Sequence, residues 1–256
     1  MQEINILGTY SLFVKEVKRF IKVYNQTLFI PVINSLLFLA VFSLALNDRI
    51  VTIANLPFKE FMAAGLIMMA VMQNAFANTS SSFIMGKVLG TIIDYLIPPL
   101  SALEIVFAMV LAGIVRGLCV GFLVFVAVSV FVDLEVKHIW YSLFFITSAA
   151  MLLAALGIFA GVIAETFDQM AAVTSYIITP LTFLSGTFYS VHKLPPFWQT
   201  VSHYNPFYYM IDGFRYGLTG YSDSSVSTGI VVMIISNIVV WAVVQIMISY
   251  GYRIKS

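Results

Sequence analysis

Apolar residues in this chain run in blocks too long for strands and too uniform for the helices of a water-facing surface. A hydrocarbon core about 30 Å thick takes roughly 20 apolar helical residues at about 1.5 Å rise each. Six runs meet that length: 27–46, 61–80, 113–132, 140–163, 171–189 and 229–249. They predict an all-α membrane protein with six transmembrane helices. The whole chain, 1–256, reads as one domain, an interface helix over 1–26 followed by a six-span core over 27–256. The third span is the hardest to place, because apolar sequence is nearly continuous from Ala102 to Val132. Glu104 and Arg116 divide it. The reading lays 102–112 along the membrane surface and starts the span at Gly113, with the Arg116 guanidinium snorkelling to the headgroups.

The segments between the runs have their own patterns. Phe13, Val17, Phe20, Ile21 and Tyr24 share one helical face, and Lys15, Glu16, Lys18, Arg19 and Lys22 occupy the other. This predicts an amphipathic N-terminal helix in the membrane interface, either a topology anchor or a docking surface for a partner. A second short helix is expected over 87–96, ended by Pro98-Pro99 and presenting Lys87 and Asp94 to water or to a partner. After the fifth run, Pro196 and Pro206 suit the first turns of two short helices that dip into the outer leaflet, with Gly217 or Gly220 stopping the second. Asp212 and Arg215, three apart, can pair there. Pro180 is expected to kink the fifth span. Glycines at 113, 117 and 121, and at 157 and 161, form stripes that let helices approach closely.

Composition agrees with a bilayer as solvent. The chain is 61% hydrophobic and only 10% charged, against about 25% charged in soluble domains. A net charge of +1 gives no basic excess for nucleic acid. The single cysteine, Cys119, excludes a disulfide framework and a cysteine metal site. The basic residues ahead of the first span (Lys15, Lys18, Arg19, Lys22), with Arg253 and Lys255 after the last, place both termini in the cytoplasm. Ser43 and Ala45 have the spacing of a cleavage site, but the stretch before Thr27 is too long for a signal peptide's basic region.

Catalytic patterns fail one by one. No HExxH and no GxSxG occur, and His138, His192 and His203 lie far apart. Gly86-Lys87 lacks the earlier glycine and the Ser/Thr of a phosphate loop, so the chain has no nucleotide-binding motif and no bound cofactor is expected. No carboxylate sits within a span to couple an ion gradient. Whatever energy the protein uses must enter from outside the bilayer.

The stretch Leu194-Pro195-Pro196-Phe197-Trp198-Gln199, His203-Tyr204-Asn205-Pro206-Phe207-Tyr208-Tyr209-Met210 and Gly213-Phe214-Arg215-Tyr216-Gly217 resembles the membrane subunit of the ABC transporter type-2 permease family, in its bacterial inner-membrane branch. Its outer signature comprises Pro195, Pro196, Asn205, Pro206, Asp212 and Arg215. Gly65-Leu66-Ile67-Met68-Met69, the polar run ending at Phe83, and Glu165-Thr166-Phe167-Asp168 also match, so the resemblance covers nearly the whole chain. It implies a permease dimer, here a homodimer, working with two copies of a separate ATPase that consumes the ATP. It also implies that the N-terminal helix (Glu16, Arg19) and a coupling helix containing Lys87, Thr91, Asp94 and Tyr95, with Pro98 and Pro99 at its end, contact that ATPase. Gly90-Thr91 and a lone Asp94 stand where relatives carry a basic residue and paired acids, which implies a less electrostatic contact.

The expected function is the permease subunit of an ATP-driven exporter of an amphiphilic, lipid-like or drug-like substrate. Asn74, Asn78, Thr174 and Ser185, polar groups on otherwise apolar spans, are expected to line the path. Two alternatives stand beside it: a membrane enzyme with Asp212, Arg215 and His203 at its outer face, and a scaffold whose spans only pack.

Overall fold

The computed structural model describes residues 5–45, 52–53, 56–92 and 99–252. Asp94, Tyr95 and Pro98, and the terminal Arg253 and Lys255, lie outside the described residues. Between its turns and loops the described chain is helical, with one antiparallel ladder of two-residue strands, β1 (Thr52–Ile53) against β2 (Leu56–Pro57). Among the described residues, five helices are long and apolar enough to cross a membrane. They are α2 (Ile30–Ala45), entered through the π-helical turn Asn25–Phe29; α3 (Phe58–Val88); α4 (Ala102–Ser129); α5 (Ile139–Ile163); and α10 (Val226–Ser249).

The centre of the bundle is α3, whose 31 residues are mostly buried against α4 and α5. The glycine stripes make this packing possible. A methyl group on Gly157 would fall on Thr79 Oγ1 and 2.5 Å from Phe76 O, and one on Gly113 would lie 2.6 Å from Ala154 Cβ. The same closeness lets Thr79 donate to Ala154 O at 2.7 Å, joining α3 to α5. By contrast α2 and α10 expose most of their apolar side chains, among them Leu37, Val41, Ile235 and Ile238. Asn237 Nδ2 ties α10 to Ser148 Oγ on α5 at 3.0 Å.

Four sequence expectations change. First, α4 is one unbroken helix of 28 residues, about 42 Å long. It starts at a capping box in which Ser101 and Glu104 satisfy each other's end groups, so 102–112 does not lie apart from the span. Second, Arg116 does not reach outward. It sits mid-helix, 8% exposed, with its guanidinium turned inward to Asn74. Third, the helix expected over 87–96 does not begin at Lys87, and its residues 93–96 lie outside the described residues. The helix of the second span runs on to Val88 and stops where Gly90 adopts φ +69°. Fourth, the expected span over 171–189 is a composite: α6 (Phe167–Val173), a π-helical turn (Thr174–Ile178) and α7 (Thr179–Leu184). Pro180 has no N–H to donate and its ring would crowd the carbonyl four residues back. The chain widens just before it, and Thr179 N–H bonds Thr174 O five residues back.

Helix α1 (Ile6–Lys22) leads into the bundle at one end, and α8 (Pro196–Tyr204) and α9 (Pro206–Thr219) close the other. Pro196 and Pro206 stand in the first turns of these last two, and Gly220 ends α9 at φ +75°.

Candidate functional site

The polar residues of the α1 end form one network rather than two faces of a free amphipathic helix. The inward face of α1 is Leu12, Glu16 and Phe20, while Ile21 and Tyr24 are half exposed. Glu16, expected on the wet face, is fully buried. A lone carboxylate could not stay there ionised. Arg19 answers it: Nε donates to Glu16 Oε2 at 3.0 Å, Nη1 to Ser81 Oγ at 3.1 Å, and Nη2 to Asn78 O at 2.5 Å. Ser82 Oγ donates to the other Glu16 oxygen at 2.9 Å. Helix α1 is thereby latched to the last turns of α3.

One turn further along α3, Asn74 accepts from Arg116 Nη2 at 3.1 Å and donates to Ala70 O at 2.9 Å. Asn74 and Asn78 thus share a face, and in this conformation two arginines from other helices cover it. Two buried donors of this layer, Asn78 Nδ2 and Arg116 Nε, have no hydrogen-bond partner among the described residues. Lys87 reaches across to the carbonyl end of α5, donating to Val162 O and, at 3.1 Å, to Ala164 O. An ammonium there meets carbonyls that a helix end leaves unpaired. Thr91 and Pro99 are exposed just beyond.

The opposite end is built as a lock. Arg215 is buried, lies 3.7 Å from the Phe61 ring centre, donates to Gly186 O at 2.6 Å and approaches Asp212 Oδ1 to 3.9 Å. Asp212 accepts from Asp223 N, Ser224 N and Ser224 Oγ. Asp223 in turn accepts from Ser190 Oγ, Val191 N and Tyr221 OH. Burial pushes the Asp212 carboxyl up and the Arg215 guanidinium down, and each partly restores the other. Burial, followed by the bond to Asp223, pushes the Tyr221 phenol up to about 12. Asn205 caps α9 through Phe207 N and clamps Ser185 Oγ at 2.9 Å. Pro195 and Pro196 set the start of α8. With both Asp212 oxygens occupied and Arg215 1% exposed, the pair joins structural elements and offers no outer-face acid or base.

The sequence reading named Asp212, Arg215 and Asn205 but missed Asp223, Ser190 and Phe61. The polar run Tyr221-Ser222-Asp223-Ser224-Ser225 ahead of the last span was the available signal for Asp223. Of the expected path residues, Asn78 and Ser185 are fully buried, Asn74 is 7% exposed, and Thr174 is partly exposed beside Ser175 and Tyr176 on the π-helical turn.

The family model for "ABC-2 type transporter" matches residues 8–219, from α1 to the end of α9. The inner membrane transport permease YadH of Escherichia coli (strain K12) is 37% identical over 247 residues, 96% of either chain. The capsule polysaccharide export inner-membrane protein BexB of Haemophilus influenzae is 30% identical over 120 residues, 46% of this chain and 45% of that one.

Proposed function

The chain belongs to the ABC-2 type transporter family and is a transport permease rather than an enzyme, and from that premise we propose that it forms the translocation path of an ATP-driven exporter. In this reading it lies in a bacterial inner membrane, with the α1 end and both termini cytoplasmic and the broken segment 167–184 as a sixth crossing. Two copies pair as a homodimer, and two copies of a separate ABC ATPase supply the energy, since this family works with such a partner. The substrate is an amphiphile, lipid-like or drug-like, suited to the apolar spans.

The observation that carries the coupling part is the Glu16–Arg19 latch onto Asn78, Ser81 and Ser82. A push on α1 moves the end of α3, which carries Lys87, and Thr91, Asp94, Tyr95, Pro98 and Pro99 follow it in the sequence as the other coupling residues. Displacing Arg19 and Arg116 uncovers Asn74 and Asn78, which with Thr174 and Ser185 then face the path. Two states with different affinity for the ligand are what directional transport requires.

Reconstitution with the partner ATPase tests this. Asp94→Lys is expected to leave ATP hydrolysis running while transport into vesicles falls; unchanged transport would refute the coupling assignment. Cysteines at Asn74, Asn78, Thr174 and Ser185 are expected to react with a water-soluble thiol reagent in one nucleotide state only. Uniform protection in every state would refute the path.

A further inference from the structure

A cavity of about 930 Å³ opens between α1, the π-helical entry to α2, the end of α3 and the middle of α4. Lys15, Lys18, Arg19, Lys22 and Arg116 line it, and no lining residue among the described ones is acidic. The carboxylate of the adjoining network, Glu16, is fully buried and engaged by Arg19 Nε and Ser82 Oγ. Among the described residues, Lys18, Lys22 and Arg116 add positive charge to this lining beyond the Glu16–Arg19 pair.

Two further features indicate what such a cavity holds. Arg116 stands in its wall with only 8% of its surface exposed, and its Nε has no acceptor among the described residues. A buried cationic donor left without an acceptor is destabilising, so an oxygen-rich anion entering the cavity would complete the site. The lining also includes Tyr10, Val23 and Met85, which are 63%, 46% and 41% exposed. A free anion has no use for such apolar surface beside its charges; an acyl chain does. Guanidinium forks match phosphate oxygens two at a time, and lysines add point charges at the mouth.

We propose that this cavity binds the phosphate headgroup of an anionic lipid from the leaflet bordering α1, with Arg116 and Arg19 at depth, Lys18 and Lys22 at the entrance, and the acyl chains against the exposed apolar side of α1. The binding requires neither the ATPase nor transport, so it stands or falls separately from the exporter reading.

The test uses the purified full chain in neutral detergent with dioctanoyl phosphatidic acid as probe. Dioctanoyl glycerol and inorganic phosphate serve as separate arms. Saturable binding of the phosphatidic acid alone is expected, weakening as salt screens the charges. Lys18→Gln and Lys22→Gln, both at exposed helix positions, are each expected to weaken it about fivefold, and together about 25-fold. Arg116→Gln is expected to weaken it further. The lysine variants keep the test readable if that variant folds poorly. Lys59→Gln, at the far end of the bundle, is expected to match the parent. Equal affinity for inorganic phosphate would make this a free-anion site and overturn the lipid assignment. Equal affinity for dioctanoyl glycerol would make it an apolar groove and overturn the headgroup assignment. Parent-like binding by the double lysine variant would remove the site from this cavity altogether.

Discussion

Removing one partner of the Glu16–Arg19 pair has unequal consequences, depending on which is removed. Glu16 is fully buried, whereas the Arg19 side chain is 25% exposed. Glu16→Gln keeps an acceptor for Ser82 and leaves a guanidinium that water and Asn78 O can still serve. Arg19→Gln takes the guanidinium away from a buried carboxylate that Ser82 also serves, and leaves Asn78 O with Ser81 Oγ as its side-chain donor. Breaking a buried pair in this second way costs about 3–5 kcal/mol. The first way should cost less, about 2 kcal/mol, because Arg19 is partly hydrated and retains other acceptors. The double variant Glu16→Gln/Arg19→Gln removes both charges of the pair and should be more stable than Arg19→Gln alone, with a coupling energy of about 1–3 kcal/mol. Hydrogen exchange of the α1 amides, Ile6–Lys22, reads this directly as local undocking. About 2 kcal/mol is roughly a 30-fold rise in exchange rate. Additive single and double variants, or α1 exchange within about twofold of the parent in Arg19→Gln, would show that the latch does not hold α1 down.

Gly157→Ala should destabilise by about 2–3 kcal/mol, because the new methyl meets the α3 backbone at Phe76 O and displaces the Thr79–Ala154 bond; denaturation in mixed micelles measures it. Gly121→Ala should cost less than Gly157→Ala, because its methyl meets side chains, Val71 Cγ2 at 2.5 Å and Ile146 Cδ1 at 3.4 Å, and no backbone atom, and a reversed order would refute the packing argument. Arg215→Ala should destabilise by about 3–5 kcal/mol by leaving Asp212 buried and unpaired, with earlier proteolysis between Ser185 and Ser225; Arg215→Lys should not rescue it, since an ammonium cannot serve Gly186 O and lie flat on Phe61 together. The Tyr221 phenol, raised to about 12, holds its proton in the native state where an unfolded tyrosine near 10 has lost it. Stability should therefore fall as pH rises from about 10 to 12, and the fall should be shallower in Tyr221→Phe, followed by melting temperature.

What was legible in the sequence was local. Pro196, Pro206 and Gly220 act on their own backbone, so the starts of α8 and α9 and the end of α9 could be read from them. The glycine stripes announced close helix approach because the spacing alone carries that information. Residues whose state depends on another helix were misread. Periodicity assigns a glutamate to the wet face, and its burial depends on partners such as Arg19 and Ser82, the latter 66 positions away from Glu16. Arg116 looked like a boundary residue because hydropathy cannot see Asn74 on a neighbouring helix. The continuity of α4 was hidden for a related reason: a long apolar run has the same composition whether or not it bends, and the decisive signal was the Ser101–Glu104 box at its start.

The π-helical turn at Thr174–Ile178 has a geometric consequence for the segment that contains it. Such a turn stores one residue more than the α-turn it replaces. Sliding that surplus residue along the helix rotates everything it passes by about 100° while both ends stay where they are. Here the ends are fixed, by the Thr166 cap on one side and by Asn205 gripping Leu181 O and Ser185 on the other. Thr174, Ser175 and the 82%-exposed Tyr176 lie where the surplus sits. Their direction is therefore set by where along the helix that surplus residue sits.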